Sequence, residues 1–346
     1  MTAAGELPST LDGFARAARE VLPVPAWSYY GGGAGRETTL RDNEAAWTRW
    51  ALRPRVLVDV SAVDLTVPLL GETLAWPVAV APMAYQVGVH EGGESALARA
   101  AAAVGSPYTL STSASITVPD LAAAVPEAQR WFQLYVRGGV AGALEQIAEA
   151  GAHGYSAVLL TVDLPVLGSR DREREHPWDP SPGMATVAAS GAPLAALTWD
   201  DLRTLVAGCP VPLLVKGVLD PRDAVRAVEC GAAGVVVSNH GGRQLDGVLP
   251  TALVLPEVVD AVAGAVPVLV DGGVRRGVDV VVALALGASA VLVGRPALWG
   301  LAVGGEDGAR RVLTLLREEV ATALALLGVT RAAEVPREAV VAAPWR

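Results

Sequence analysis

A histidine and an arginine lie three residues apart in the segment SNHGGRQLD, which directly follows a run of β-branched residues. His240 could act as a base near neutral pH, and Arg243 could bind an anion. A lone histidine is more often structural, but an arginine this close makes a functional role the better interpretation. Lys216 follows another apolar run and could be either a surface lysine or a cation that faces a ligand.

Repeated strand and helix patterns must position these side chains. Between Trp76 and Arg295 short β-branched runs alternate with Ala-rich helical patterns, as in proteins built around parallel strands. Eight such runs fit an α/β fold of the (β/α)₈ TIM-barrel type better than an open doubly wound sheet. The predicted strands are Val78–Ala81, Tyr108–Leu110, Trp131–Tyr135, Ala157–Val162, Leu213–Val215, Gly234–Val237, Val268–Val270 and Ala290–Val293.

The sequence predicts a single domain over residues 1–346. An N-terminal extension (1–75) carries one amphipathic helix, Leu11–Val21, and precedes the barrel (76–300). A C-terminal helix and tail (301–346) follow, with the helix expected over Gly308–Gly328. Residues 171–198 show no clear period after the charge cluster DREREH and predict a mobile loop over the mouth of the barrel.

The reactive groups of TIM barrels come from the C-terminal ends of the strands, and polar side chains stand at seven of the eight predicted ends here. The residues at or just beyond these ends are Pro82, Met83, Ala84, Ser111, Gln133, Tyr135, Thr161, Asp163, Lys216, Ser238, Asn239, His240, Asp271, Gly272, Gly273, Gly294 and Arg295.

Glycines and arginines follow the last two predicted strands, where barrels of this kind bind phosphate. The segments are DGGVR, ending at Arg275, and GR, ending at Arg295. Glycine lets backbone N–H groups approach an anion, and arginine neutralises it. Either segment alone could be an ordinary turn, but together they predict a phosphorylated ligand.

Composition excludes several classes of protein. The chain has 346 residues, 52% hydrophobic and 18% charged, with a net charge of −9, so it can fold around a large core and has no electrostatic reason to bind nucleic acid or an anionic membrane. Two cysteines and four scattered histidines predict neither a disulfide framework nor a metal site. No signal-peptide pattern or 20-residue apolar run is seen, which predicts a soluble cytoplasmic protein.

The chain resembles the FMN-dependent (S)-2-hydroxy acid oxidase/dehydrogenase family, which includes glycolate, lactate and mandelate oxidases. The resemblance covers nearly the whole chain, and its most specific part is SNHGGRQLD followed by DGG-x-R and GRP. The other shared segments, in family order, are YYGGGAG, LRPRVLVDVS, VAVAPMA, FQLYV, LTVDLPVLGSR and LLVKGV.

This resemblance implies FMN as the cofactor and assigns residues to its parts. Lys216 would stabilise negative charge on the flavin ring, and Asp271 would bind the ribityl chain. The residues implied to hold the ring are Pro82, Met83, Ala84, Ser111, Gln133 and Thr161, with Ser238 among the cofactor contacts, and those implied to hold the phosphate region are Gly272, Gly273, Arg275, Gly294 and Arg295.

The resemblance also implies the substrate site. His240 would be the base, Asp163 the carboxylate that supports it, and Arg170 and Arg243 the clamp on a substrate carboxylate. Tyr29 and Tyr135 would complete the pocket with their hydroxyls. His240 could take the hydroxyl proton during hydride transfer or the α-proton to give a carbanion, and the sequence leaves both open.

One departure from the family concerns the substrate. Ser113 stands where many members have a large aromatic residue, which predicts either an enlarged pocket or a wall left to loop residues. The segments APMAYQ and PYT resemble the hydroxymandelate oxidases of the family, and this resemblance implies a bulky or aromatic, mandelate-like acid. O₂ is the expected acceptor, giving H₂O₂, and a homotetramer or octamer is the expected assembly. The alternatives are a family member that acts on a biosynthetic intermediate or uses another acceptor, and a non-catalytic FMN-binding barrel.

Overall fold

The computed structural model describes residues 6–179 and 196–343. Its centre is a closed barrel of eight parallel strands, β4 to β11, in which each strand pairs with the next and β11 pairs with β4. The predicted (β/α)₈ barrel is therefore confirmed. The strands are β1 (Trp50–Leu52), β2 (Val67–Leu69), β3 (Glu72–Leu74), β4 (Val78–Val80), β5 (Tyr108–Ser111), β6 (Arg130–Leu134), β7 (Tyr155–Thr161), β8 (Leu213–Val218), β9 (Gly234–Val237), β10 (Val268–Val270), β11 (Ala290–Val293) and β12 (Val340–Ala342).

The barrel strands are almost wholly apolar because both of their faces are covered. All eight predicted runs form strands, with ends that differ by up to three residues. The largest extension is in β8, which continues through Lys216 to Val218 across a break in pairing register. Lys216 therefore lies within a strand rather than beyond it.

Helices surround the barrel, and several of them begin with a side-chain cap. Asp220 accepts a hydrogen bond from the backbone of Arg222, and Thr198 forms a capping box with Asp201. The helices are α1 (Leu11–Val21), α2 (Val24–Gly31), α3 (Thr38–Trp47), α4 (Gly93–Ala103), α5 (Val118–Ala124), α6 (Gly139–Ala152), α7 (Asp171–Glu175), α8 (Trp199–Gly208), α9 (Pro221–Glu229), α10 (Thr251–Val262), α11 (Gly277–Ala285) and α12 (Arg295–Leu327).

Two helical regions differ from the sequence prediction. The predicted C-terminal helix Gly308–Gly328 is the second part of α12, which starts at Arg295 and kinks at Gly304 and Gly305, where the backbone is not helical. The segment 171–198, predicted as one irregular loop, begins with α7, where Arg170–Glu173 and Asp171–Arg174 pair opposite charges at the i,i+3 spacing. Residues 180–195 of that segment lie outside the described residues.

The N-terminal extension packs onto the barrel and reaches its C-terminal end. Helix α1 packs against α12, and α3 contacts α10. Asn43 of α3 exchanges two amide hydrogen bonds with Asn239, just after β9, at 2.8 and 2.7 Å. The extension therefore forms part of the wall around the strand ends. Over residues 6–179 and 196–343, no helix has the length and apolarity needed to cross a bilayer.

Candidate active site

A cavity of about 440 Å³ opens at the C-terminal ends of the barrel strands. Most of the residues predicted for the site line it, and Asp163 and Ser238 lie directly behind His240 and Lys216. The predicted residues that line the cavity are Tyr29, Pro82, Met83, Ala84, Ser111, Ser113, Gln133, Tyr135, Thr161, Arg170, Lys216, His240, Arg243, Asp271, Gly272, Gly273, Arg275, Gly294 and Arg295.

His240 is paired with a carboxylate on one side and a phenol on the other. Its Nδ1 lies 2.8 Å from Asp163 Oδ1, and its Nε2 lies 3.4 Å from the Tyr135 hydroxyl. An Asp163 carboxylate accepts the Nδ1 proton, so the neutral ring carries its basic lone pair on Nε2, toward the cavity. This arrangement suits a general base that becomes a supported imidazolium.

The loop after β9 fixes the direction of the imidazole. His240 has a left-handed backbone, with φ of 58°, and its N–H donates to Ser238 Oγ at 3.1 Å. The Gln244 amide donates to the Asp163 carbonyl at 3.0 Å and ties the loop after β7 to the loop after β9. The histidine and its carboxylate are therefore held by the same network.

Electrostatics favours an ionised Asp163. Burial by itself raises the pKa of this carboxyl, but the adjacent His240 and the nearby Lys216 outweigh burial and lower the pKa. Burial and the Asp163 charge raise the pKa of Tyr135, which therefore remains a hydroxyl donor. Within the described part of the chain, Asp163 Oδ2 is buried without a hydrogen-bond partner.

Lys216 presents a buried positive charge to the cavity. Its side chain is only 5% exposed, and Nζ lies 3.0 Å from Asp271 Oδ2 and 2.9 Å from Ser238 Oγ. Burial lowers the pKa of Lys216, but the Asp271 and Asp163 carboxylates outweigh burial and raise the pKa above its usual value. The lysine is therefore a cation at neutral pH, and its charge is largely shielded from solvent.

Polar side chains form a continuous ladder across neighbouring strand ends. Ser111 donates to Gln133 Oε1 at 3.0 Å, and Gln133 Nε2 donates to Thr161 Oγ1 at 3.0 Å. These residues lie on β5, β6 and β7, and their hydrogen bonds fix the orientation of the Gln133 amide. These three side chains form a row of oriented polar groups that could hydrogen-bond to the edge of a planar heterocycle.

The turn after β10 forms a cradle whose glycines pack too closely against neighbouring residues to carry side chains. Gly272 and Gly273 have φ of 94° and 80°, and a Cβ at Gly273 would overlap the backbone carbonyl of Asn43. Asp271 Oδ1 is buried here without a partner among the described residues. This cradle, with Arg275 at its rim, fits the ribityl phosphate portion of the expected FMN.

Replacing Gly273 with alanine is expected to destabilise the protein by about 3 kcal/mol or more and to weaken FMN binding, since strain and overlap combine. Gly264 is a matched control, because it has φ of 76° and open space around its Cβ position. Gly264→Ala is expected to cost only about 1–2 kcal/mol for the backbone conformation. Denaturant unfolding and FMN titration measure both effects, and equal losses in the two variants would contradict the cradle.

Arg295 contributes differently from Arg275. Its guanidinium donates to the carbonyls of Tyr30 at 3.0 Å, Gly241 at 3.0 Å and Gly32 at 2.8 Å. Burial, with the nearby charges of other arginines, lowers its pKa to about 9. The side chain thus holds the N-terminal extension against the strand ends through its guanidinium N–H groups. Its positive charge and its backbone N–H can still attract an anion.

The two arginines predicted to hold a carboxylate lie together at the cavity wall. Arg170 Nε donates to the Arg243 carbonyl at 3.3 Å, and the Arg243 guanidinium lies 5.0 Å from the centre of the Tyr29 ring. Arg243 Nη1 also donates to the carbonyls of Tyr29 and Gly32. Both guanidiniums contact Glu173, which also lines the cavity.

Sequence reasoning missed several residues of this wall. Tyr30 and Tyr85 line the cavity, and Trp178 packs against Tyr29 at 4.8 Å and Tyr30 at 5.3 Å between ring centres. Tyr85 carries a left-handed backbone that no sequence signal predicts, since tyrosine rarely adopts it. Glu173 could have been found, because it follows Arg170 at the i,i+3 spacing of a helical ion pair.

Comparison with known proteins agrees with this geometry. The sequence model of the family described as FMN-dependent dehydrogenase matches residues 18–342. An L-lactate oxidase from Nostoc sp. is 44% identical, with 95% of this chain and 96% of the relative covered. A peroxisomal (S)-2-hydroxy-acid oxidase of Oryza sativa subsp. japonica is also 44% identical, with 97% and 96% covered.

Solved structures of mandelate oxidase have the same fold as this chain. A crystal structure of mandelate oxidase with benzoyl-formic acid superposes with a TM-score of 0.91 at 42% identity, covering 95% of this chain and 97% of that one. A mandelate oxidase structure with (S)-2-phenylpropionate gives a TM-score of 0.90 with the same identity and coverage. The expected family and its FMN cofactor are thus confirmed, and the chain belongs to the FMN-dependent dehydrogenase family.

Proposed function

We propose that this protein oxidises an (S)-2-hydroxy acid with a bulky or aromatic side chain to the 2-oxo acid and passes the electrons to O₂, giving H₂O₂. The observation that carries the proposal is one cavity at the strand ends that is lined both by His240, with Asp163 behind it, and by the Arg170–Arg243 pair. Oxidation of a 2-hydroxy acid needs an electron acceptor, a base and a group that fixes the carboxylate, and His240 and the two arginines can supply the last two.

The chain's own residues supply the proton chemistry and the orientation. The reaction removes two electrons and two protons from the carbinol carbon and its oxygen, and FMN, when bound, accepts the electron pair. His240 Nε2 takes a proton from the substrate, and Asp163 supports the charge that the ring gains. The same base serves both routes, removal of the hydroxyl proton with hydride transfer and removal of the α-proton to give a carbanion.

A carboxylate bound by two guanidiniums would be fixed in position and in rotation. Arg170 and Arg243 bring forked donors from different loops, so one face of the substrate would meet the cofactor plane. Tyr135 lies beside His240 Nε2 and remains a hydroxyl, which lets it donate to the reacting oxygen. This positioning supports selection of one enantiomer.

The residues of the cavity wall favour binding of an aromatic substrate side chain. Ser113 is small and 4% exposed, and its carbonyl accepts from the backbone N–H of Tyr85. The rings of Tyr29, Tyr30 and Tyr85, supported by Trp178, offer faces and edges for another ring. The mandelate oxidase neighbours with phenyl ligands agree with this preference.

Lactate is the competing substrate, because one of the most similar relatives is an L-lactate oxidase. A panel of (S)-mandelate, (S)-lactate and glycolate, mixed anaerobically with the purified yellow protein, tests the choice through loss of flavin absorbance. We expect kcat/KM to be at least about tenfold higher for mandelate than for lactate, since the extra ring buries apolar surface. Faster reduction by lactate would reject the aromatic substrate, and no reduction by any acid would reject the proposed reaction.

Replacing Ser113 with tryptophan is expected to lower kcat/KM for mandelate by about tenfold to a hundredfold, because the new ring would occupy cavity space. The same change should affect glycolate by less than about threefold, since that substrate has no side chain to displace. Ser113→Ala is the control and should leave both substrates nearly unchanged. An equal loss for both substrates would show that position 113 does not face the substrate side chain.

A further inference from the structure

Glu173 bridges the two arginines of the cavity. This residue lies on α7, and its Oε1 is 3.3 Å from Arg170 Nη1 and 3.1 Å from Arg243 Nη2. Its Oε2 is 3.4 Å from Arg170 Nη1. The side chain is 21% exposed and lines the cavity. A carboxylate of the protein therefore contacts the same two guanidiniums that a carboxylate ligand would use.

The contacts are loose for ionic hydrogen bonds. Bonds between a guanidinium and a carboxylate are commonly about 2.7–2.9 Å long and often bidentate. The Glu173 contacts are all longer than that range, and each guanidinium uses a single nitrogen for them. A ligand carboxylate with better geometry could therefore replace Glu173 on these arginines.

Charge gives Glu173 a reason to occupy this place. The Arg243 side chain is 14% exposed, and its burial, followed by the Arg170 charge, lowers its pKa. The Glu173 carboxylate acts in the opposite direction and offsets the repulsion between the two cations. Before a ligand arrives, the pair thus carries one compensating negative charge.

We propose that Glu173 competes with the substrate carboxylate for Arg170 and Arg243 and so sets the affinity of the site for carboxylate ligands. The proposal rests on the proposed function, because it takes a 2-hydroxy acid as the ligand. Glu173 is a specificity-determining residue in this scheme. It is not assigned a catalytic role, since its hydrogen bonds to the described residues are with the two arginines.

The test compares a carboxylate ligand with a neutral analogue in the FMN-loaded enzyme. Benzoylformate and 2-hydroxy-phenylacetamide are titrated against the wild type and Glu173→Gln, and Kd is read from the change in flavin absorbance. We expect benzoylformate to bind at least about fivefold tighter to Glu173→Gln, because it no longer displaces an ionised competitor. The ratio of carboxylate to amide affinity should rise by a similar factor.

Two further variants separate competition from net charge and from folding. Asp171→Asn removes a charge from the same helix, at a residue that pairs with exposed Arg174, and should leave both affinities within about twofold. Glu173→Asp keeps the charge but shortens the reach, and should also tighten benzoylformate. FMN content and thermal stability are measured for every variant.

Weaker benzoylformate binding in Glu173→Gln would show that Glu173 only holds the arginines in place, and it would overturn the proposal. Unchanged affinity in both Glu173 variants would overturn it as well. The proposed function fails separately, if the wild type oxidises no 2-hydroxy acid. A wild type that oxidises mandelate while Glu173→Gln fails to tighten the ligand rejects the competition alone.

Discussion

Replacing His240 with alanine is expected to slow anaerobic flavin reduction by the 2-hydroxy acid by about 10³-fold or more, the scale of a lost general base. The cavity retains its arginines and Lys216, so substrate and FMN should still bind. Stopped-flow absorbance measures the reduction rate, and FMN content and melting temperature are measured on the same samples.

The matched control is His153→Ala. This histidine follows α6, and its Nδ1 contacts the Glu149 carbonyl of the same helix, away from the cavity. The control should reduce its flavin at the wild-type rate. A His240→Ala variant that keeps its FMN and reduces it as fast as the wild type would exclude His240 as the base.

Replacing Asp163 with asparagine is expected to lower the reduction rate by about 10²-fold or more, because the amide cannot support an imidazolium and can favour the wrong tautomer. The change keeps the shape of the side chain, and the Gln244 bond to the Asp163 carbonyl does not involve the altered atoms. Substrate Kd should therefore change much less than the rate constant. The rates are obtained at saturating substrate by stopped-flow absorbance.

The double variant shows whether the two residues act as one unit. If Asp163 works only through His240, then adding Asp163→Asn to His240→Ala should cost less than about threefold beyond the single alanine variant. Losses that multiply would mean that Asp163 affects the reaction independently, for example through its charge on Lys216.

The sequence predicted the barrel and the polar strand ends because both follow from short-range patterns. Apolar runs buried on both faces are nearly continuous in sequence, and their C-terminal ends must meet at one mouth. His240, Asp271 and Gly273 could therefore be placed at this mouth from the sequence alone. The family resemblance added the roles that spacing alone could not give.

Features that depend on contacts between distant segments were not predictable in this way. The guanidinium of Arg295 bonds to carbonyls more than 50 residues away in sequence, so nothing near position 295 indicates a role in fastening the extension. Tyr85 and Trp178 meet only after the loops fold together. The sequence spacing indicates that Glu173 pairs with Arg170 on a helix. Its ion pair with Arg243 joins residues far apart in sequence and can be seen only in the folded structure.

The most direct test of the account is a crystal structure of the FMN-loaded protein with bound benzoylformate. We predict the ligand carboxylate within hydrogen-bond distance of Arg170 and Arg243, and its 2-oxo oxygen within hydrogen-bond distance of the Tyr135 hydroxyl, on the side of the cavity where His240 lies. A ligand whose carboxylate contacts neither arginine, or whose oxo group points away from His240, would contradict the central claim.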